Sequence, residues 1–441
     1  MCTPCKRDLG GTKMKEKLHE KLQQVLTDID KRQAELVALL DRLVSFPTVS
    51  PPARNTVEAQ QYLASLLQQI GFQTDLWEIY PNDPNLVGVQ KGTDSANYRS
   101  LIVNGHIDVA EVGDDREWSV PPFRVTHQGE RLLGRGVSDM KAGLAGALFA
   151  IQLLKEHGVE WKGNLTFQSV IGEEAGEAGT QACVERGYAA DLALVVDTSQ
   201  LHIQGQGGVI TGWIVIESPQ TFHDGIRSKM IHAGGNVYGA SAIEKMMKVI
   251  GSLQELERHF AVTKSYPGFP AGMNTINPAV IEGGRHAAFV ADRCALWITV
   301  HFYPDEDYQQ VVQEIEEHVL AAAKADPWLR NNLPKFRWGG KSMIEDRGEI
   351  FPALALDSEQ AGVQMLAEMH RSVKGTAPVV DMSGTVTDAG WLGRAGIETM
   401  IYGPGDLKNA HAVDESIALS ELLDFSKVMA KMIAHWCNTR K

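Results

Sequence analysis

The chain has 441 residues, too many for one ordinary hydrophobic core, so two domains are the starting expectation. Forty-four per cent apolar and 22 per cent charged residues describe a soluble globular protein. A formal charge of −13 argues against nucleic acid or an anionic membrane as partner, since both need a basic face.

The N-terminal stretch MCTPCKRDLGGTKMKEK is polar and lacks the apolar centre of a secretory signal. Cys2 and Cys5 form a lone CxxC with no second pair. The five cysteines of so long a chain do not make a disulfide framework, and the cytoplasm is the expected compartment. Lys13 to Val44 has helical spacing and stops before Phe46-Pro47. A second amphipathic helix spans about Thr56 to Ile70 and ends at Gly71. Strand-like runs follow: FQTDLWEI, NLVGVQK and SLIVNGHID. The apolar run LAGALFAIQLL is about half the roughly 20 residues that cross a bilayer, and it reads as a buried helix within about Met140 to His157. Then come the strand NLTFQSVI, a helix near Gly179 to Arg186, and the strand LALVVD. Such alternation predicts a mostly parallel sheet with helices on both faces.

Near residue 208 the texture changes. GVITGWIVIES alternates as a long strand, followed by a helix from about Gly239 to Glu257. The strand CALWITVHFY, a charged helix from Asp305 to Ala325 and the short strand KFRW complete a smaller α+β unit. After about Glu345 the helix and strand alternation resumes. The fold class expected is therefore α/β, with residues 1–207 and 345–441 forming one discontinuous domain and residues 208–344 inserted into it.

The chemistry-bearing residues cluster at strand ends. SLIVNGHIDV delivers His106 and Asp108, which lie two apart and so share a side, letting Asp108 orient the imidazole. GRGVSDMKAG puts Asp139 in a glycine-rich turn before a helix. SVIGEEAGEAG ends an apolar strand in two adjacent like charges, Glu173 and Glu174. LALVVDTSQ ends in Asp197, and YGPGDLKNAHAVDE carries His411 on a loop after the strand TMIYG. Taken singly each has an ordinary reading, such as a helix cap for Asp139 or a solvated loop for the glutamates. Together they gather nitrogen and oxygen ligands at the sheet edge where open α/β folds bind, a mix suited to zinc, cobalt or manganese.

The ordered set GHID, GRGVSDMK, GEEAG, VVD and GPG…AH resembles the dinuclear-zinc aminoacylase family, which includes acetylornithine deacetylase, succinyl-diaminopimelate desuccinylase and related carboxypeptidases. The resemblance runs from about Leu40 to Ile433. It implies two divalent metal ions per chain, zinc or alternatively cobalt or manganese. Asp139 would bridge them, with His106 and Asp197 on one metal and Glu174 and His411 on the other. Glu173 would be the general base and Asp108 the orienting partner of His106. The implied reaction is hydrolysis of an amide in a small N-acyl substrate, an N-acyl amino acid or N-acylated amine, by a hydroxide bridging the metals. A dipeptidase or carboxypeptidase of the same family is the alternative.

The inserted unit resembles that family's lid, which forms homodimers in many members. In MIHAGGNVYGASAI the resemblance places His232 as a histidine reaching a partner's active site. The nearby SPQTFHDGIRSK, with His223 and Arg227, looks longer than the usual lid strand. Arg293, heading ADRCALWITV, resembles an arginine that grips a substrate carboxylate. Asn274 in GMNTINP resembles a lid asparagine that reaches across the dimer. The loop DMSGTVTDAG, with Gly384 and Thr385, resembles one that contacts substrate through backbone amides. A binuclear phosphoesterase would need GNH[DE] and GHxH, which this chain lacks. A degenerate binding homologue would be expected to have lost Glu173 or Asp139.

Overall fold

The computed structural model describes residues 9–51, 54–176, 179–231 and 237–441. The chain divides into two compact units. The first comprises Met1–Gly205, Leu356–Asp381 and Thr387–Lys441; the second comprises Gln206–Ala355 and Met382–Val386. The second unit thus runs beyond the 344 expected from sequence, because Ile350–Phe351 pairs with the long strand Gly208–Glu217.

The first unit is built on an eight-stranded sheet in the order Gln73–Tyr80, Asp83–Gln90, Leu165–Val170, Leu101–His106, Leu192–Val195, Glu398–Ile401, Ile203–Gln206, Val380–Ser383. Its four central strands, Leu165–Val170 through Glu398–Ile401, are mutually parallel. Asp83–Gln90 and Ile203–Gln206 flank them antiparallel. Apart from Glu398 the parallel strands are buried throughout, as sheets covered on both faces are. Lys141–Glu156 is nearly all buried and belongs to the main core, with Phe167 and Leu86 from the sheet. Val87, Val170 and Cys183 form a separate cluster, reached by residues on the opposite pleat. The long N-terminal helix expected from Lys13 to Val44 is two helices, Leu9–Lys31 and Gln33–Val44. They are divided at Arg32, whose guanidinium pairs with Glu35 and Glu156.

The second unit has an antiparallel sheet in the order Ile276–Gly283, Arg293–Phe302, Gly208–Glu217, Lys335–Trp338. Alternate residues Cys294, Leu296, Ile298, Val300 and Phe302 meet apolar side chains of the helices Ala242–Thr263 and Tyr308–Ala325 in one core. Trp213 and Trp297 stack on each other with ring centroids 6.3 Å apart. Among the described residues no helix is long and apolar enough to cross a membrane.

Candidate active site

His106 closes a fully buried strand and is itself 1 % exposed. Its Nδ1 lies 3.0 Å from the carbonyl oxygen of Asp108 and 3.6 Å from that residue's carboxylate. The ring is therefore oriented chiefly by a backbone carbonyl, which suits an Nδ1–H donor and leaves Nε2 to coordinate. The Asp108 carboxylate accepts from the backbone N–H groups of Gly172 at 3.0 Å and Glu174 at 3.1 Å. The sequence suggested an Asp108 side chain beside His106; in the structure it stands there and also anchors the turn carrying the glutamates.

That turn is a 3₁₀ segment, Glu173–Ala175, between Gly172 and Gly176, both left-handed with φ of 79° and 66°. A side chain at either position would strain the reversal that brings two carboxylates to one strand end. Asp139 lies between two histidines: Oδ1 is 3.1 Å from His106 Nε2 and Oδ2 is 3.4 Å from His411 Nε2. Glu174 approaches His411 Nε2 at 2.8 Å. Asp197 stands 3.9 Å and Glu173 3.8 Å from His106 Nε2. Ligand atoms of His106, Asp139 and Glu174 all lie within 4.8 Å of one another. Glu174 Oε1 is buried without a hydrogen-bond partner, and the donors are imidazole and carboxylate. Both observations fit a divalent cation.

Residues 102–435 match the family model described as Peptidase family M20/M25/M40. The chain belongs to this family. As a member it is a hydrolase of linear amide C–N bonds. It is similar, at 57% identity over 420 residues, to the N-formyl-4-amino-5-aminomethyl-2-methylpyrimidine deformylase of Halalkalibacterium halodurans, an alignment covering 95% of this chain and 98% of the relative. The deformylase of the same description from Bacillus subtilis is 56% identical, over 96% of this chain and 100% of the relative. Among solved structures, the Saccharomyces cerevisiae dipeptidase Dug1p has the same fold, with a TM-score of 0.71, 19% identity and coverage of 94% of this chain and 98% of that one.

The electrostatics of this M20 cluster are those of anions packed together. Burial pushes Glu173 well above the ordinary carboxylate range, and Asp197, Glu174 and the neighbouring Asp388 add to the effect. Burial, reinforced by Asp139, lifts Glu174 to about 7, and the same two causes lift Asp197 to about 6. Asp139 runs the other way: burial would raise it, but the hydrogen bonds of His106 and His411 hold it below its usual value. His411 rises to about 10 through its contacts with Asp139 and Glu174. Without metal, protons neutralise part of the charge that cations would otherwise balance.

The residues expected to read substrate fall in the second unit. Asn274 is 2 % exposed, and neither amide atom has a hydrogen-bond partner. It lines a recess of about 20 Å3 with Gly384, Thr385, Phe269, His301 and Tyr303, whose hydroxyl is also unpartnered. Arg293 does not join this recess. It is half exposed, 3.6 Å from Glu217, on a groove with Lys335, Arg337 and Arg347. His223 contacts Asp224, and Arg227 pairs with Glu244 at the surface. His232, Cys2 and Cys5 lie outside the described residues.

Sequence reasoning passed over Asp388 and Glu415. Asp388 sits inside the quoted DMSGTVTDAG motif and is 1 % exposed; burial lifts it to about 7. Glu415 ends the quoted HAVDE, fully buried. An acidic residue four positions beyond a ligand histidine carries no local sign of burial.

Proposed function

We propose that the chain removes the formyl group from N-formyl-4-amino-5-aminomethyl-2-methylpyrimidine. The observation that carries this reading is the 57% identity to a deformylase of that description, extending over nearly the whole of both chains. It narrows the expectation of a general N-acyl substrate to a formamide on an aminomethylpyrimidine.

His106 and Asp197 would hold one divalent ion and Glu174 and His411 the other, with Asp139 between them; zinc is the first choice, cobalt or manganese the alternatives. When bound, such ions acidify a water and polarise the amide carbonyl. Glu173 takes a proton from the attacking water and returns it to the departing aminomethyl nitrogen, releasing formate.

This substrate has no carboxylate, so the task that the resemblance assigned to Arg293 disappears. The half-exposed setting of Arg293 agrees with that. An asparagine carboxamide instead offers donor and acceptor side by side, complementing a ring nitrogen and its adjacent amino group. The unpartnered Asn274 is our choice for reading the aminopyrimidine edge, with Gly384 and Thr385 beside it.

A homodimer is the second part of the proposal. Ile276–Gly283 is an edge strand of the second unit and almost wholly exposed, with Ile281 at 54 %. Ile243 and Met247 on the helix Ala242–Thr263 are exposed as well. Unpaired strand edges beside apolar side chains favour self-association. His232 would then act across the interface. Sedimentation equilibrium tests the assembly: Ile281→Asp should yield monomer where the parent is dimeric.

The deciding assay compares formate release from the formylaminopyrimidine with release of amine from N-acetylornithine, N-formyl amino acids and dipeptides, with and without added zinc or cobalt. Preference for the formylaminopyrimidine is expected. A preference for dipeptides or N-acyl amino acids would overturn the reading.

A further inference from the structure

Two fully buried charges lie beneath the cluster and belong to none of the roles described so far. Arg135 is 1 % exposed and Glu415 is 0 % exposed, and they pair at 2.7 Å. Each also reaches a different segment that carries candidate ligands. Glu415 Oε1 accepts from the backbone N–H groups of Gly136 at 3.1 Å, Ser138 at 2.6 Å and Asp139 at 3.0 Å. Its carboxylate thus fills the concave side of the turn that presents Asp139. From Arg135, Nη2 donates to the carbonyl oxygens of His411 at 3.1 Å and Glu111 at 2.9 Å.

The arrangement is tight and conformationally demanding. His411 adopts a left-handed backbone, φ 59°, as does Asp414 at φ 55°. A positive φ is uncommon away from glycine, though histidine tolerates it better than most, and the guanidinium on the His411 carbonyl helps to hold it. The same loop begins at Gly405, φ 100°, where an added Cβ would sit 2.5 Å from Ser138 Oγ. The two segments therefore meet without room for adjustment. A buried ion pair alone is weak evidence of purpose, since an apolar pair of equal volume often stabilises a fold better. Here the pair is hydrogen-bonded to the backbone of two ligand-bearing segments at once.

We propose that Arg135 and Glu415 are positioning residues that set the spacing between the Asp139 turn and the His411 loop, Glu415 supporting both metal sites and Arg135 the one that His411 completes. The inference rests on the ligand assignment of the preceding subsection. Its two halves do different work. Glu415 shapes the turn of Asp139, the ligand shared by both metals. Arg135 fixes the His411 loop, which serves only one.

The test titrates metal-free protein with Co2+, following the visible absorption of bound cobalt and the binding heat, for the parent, Arg135→Lys and Glu415→Gln. Two equivalents are expected for the parent. A lysine ammonium still faces Glu415 but cannot also span to the His411 and Glu111 carbonyls. Arg135→Lys should therefore leave one equivalent unchanged and weaken the other by about 10- to 100-fold. Glu415→Gln turns an NH2 toward a nest of N–H donors and should weaken both equivalents. Far-UV circular dichroism checks folding, and Arg135→Lys, which keeps the charge pair, carries the test if Glu415→Gln does not fold. Two equivalents with parental affinity and spectrum in both variants would overturn the proposal while leaving the ligand assignment intact. Equal weakening of both equivalents in Arg135→Lys would also overturn it, as general loosening. A parent that binds no cobalt would remove the ligand assignment and the proposal together.

Discussion

At the sheet edge of the first unit, Asp108, Asp139, Glu174 and Asp197 each meet a backbone N–H or an imidazole. In the recess of the second unit, the Asn274 carboxamide and the Tyr303 hydroxyl have no hydrogen-bond partner, although both residues are almost wholly buried. Most carboxylates of the first region are held by groups of the chain itself, while Glu174 Oε1 is left for a cation. The second holds unspent hydrogen-bonding capacity, costly in a folded protein unless a ligand or water completes it. On the proposed reading, reactivity belongs to the first region and selectivity to the second, and each can be tested by substitution.

The largest effect is expected from Glu173→Gln. Turnover should fall by about a thousandfold or more while metal content, measured by elemental analysis, stays at the parental level. Surviving activity would show that the base has been misassigned. Metal removal by chelation should likewise silence the enzyme, with recovery on adding zinc, cobalt or manganese. Its pH dependence has a definite sign. Asp197 near 6, Glu174 near 7 and His411 near 10 must shed protons to bind metal. Affinity should rise with pH from below 6 up to about 10, by about tenfold per unit for each proton displaced. A flat profile would place the metal elsewhere.

Asn274→Ala should raise KM for the formylaminopyrimidine by about 10- to 100-fold, with little change for a formamide lacking the amino-substituted ring, such as N-formylbenzylamine. Equal losses on both would make Asn274 structural. A smaller effect concerns the scaffold of the second unit. Asp326 accepts from Lys245 and from the N–H groups of Trp328 and Leu329. Burial would raise its carboxyl, but these partners and Lys248 outweigh that and hold it well below its usual range. Asp326→Asn should cost about 2 kcal/mol in thermal unfolding at neutral pH. Because the folded value is depressed, this contribution is complete above the unfolded carboxylate range near pH 4 and fades as pH falls below it. If the proposed substrate is right, Arg293→Ala should change deformylation by no more than about twofold, as expected of an exposed pair partner with no carboxylate to bind. A large loss would return a carboxylate to the substrate.

What could be read from the sequence follows the same division. Apolar strands ending in HxD, GEE and VVD announce themselves because burial on both faces leaves continuous apolar runs, and the polar residue after each run stands out. The helix break at Arg32 was hidden because its flanks share one helical pattern. The strand Ile276–Gly283 was missed for the opposite reason: an exposed edge has no buried face to impose alternation, and Pro278 and a register shift interrupt it. Glu415 could not be found locally, since its partner Arg135 is 280 residues away. The carbonyl of Asp108 that faces His106 is backbone, on which sequence is silent.

The closing helix of the first unit has a consequence for how the protein is made. Leu419–Trp436 packs Phe425, Val428, Met429 and Trp436 into the main core, and Trp436 Nε1 donates to Ser100 O. Arg99 and Gly163, just ahead of two central strands, donate to carbonyls of Thr439 and Cys437. On the ribosome, the parallel sheet therefore waits for residues 419–439, while the second unit, 206–355 with 382–386, is synthesised before them and can mature first. A nascent chain stalled before Leu419 would display one folded unit and one exposed apolar core, the state that chaperones and proteases recognise.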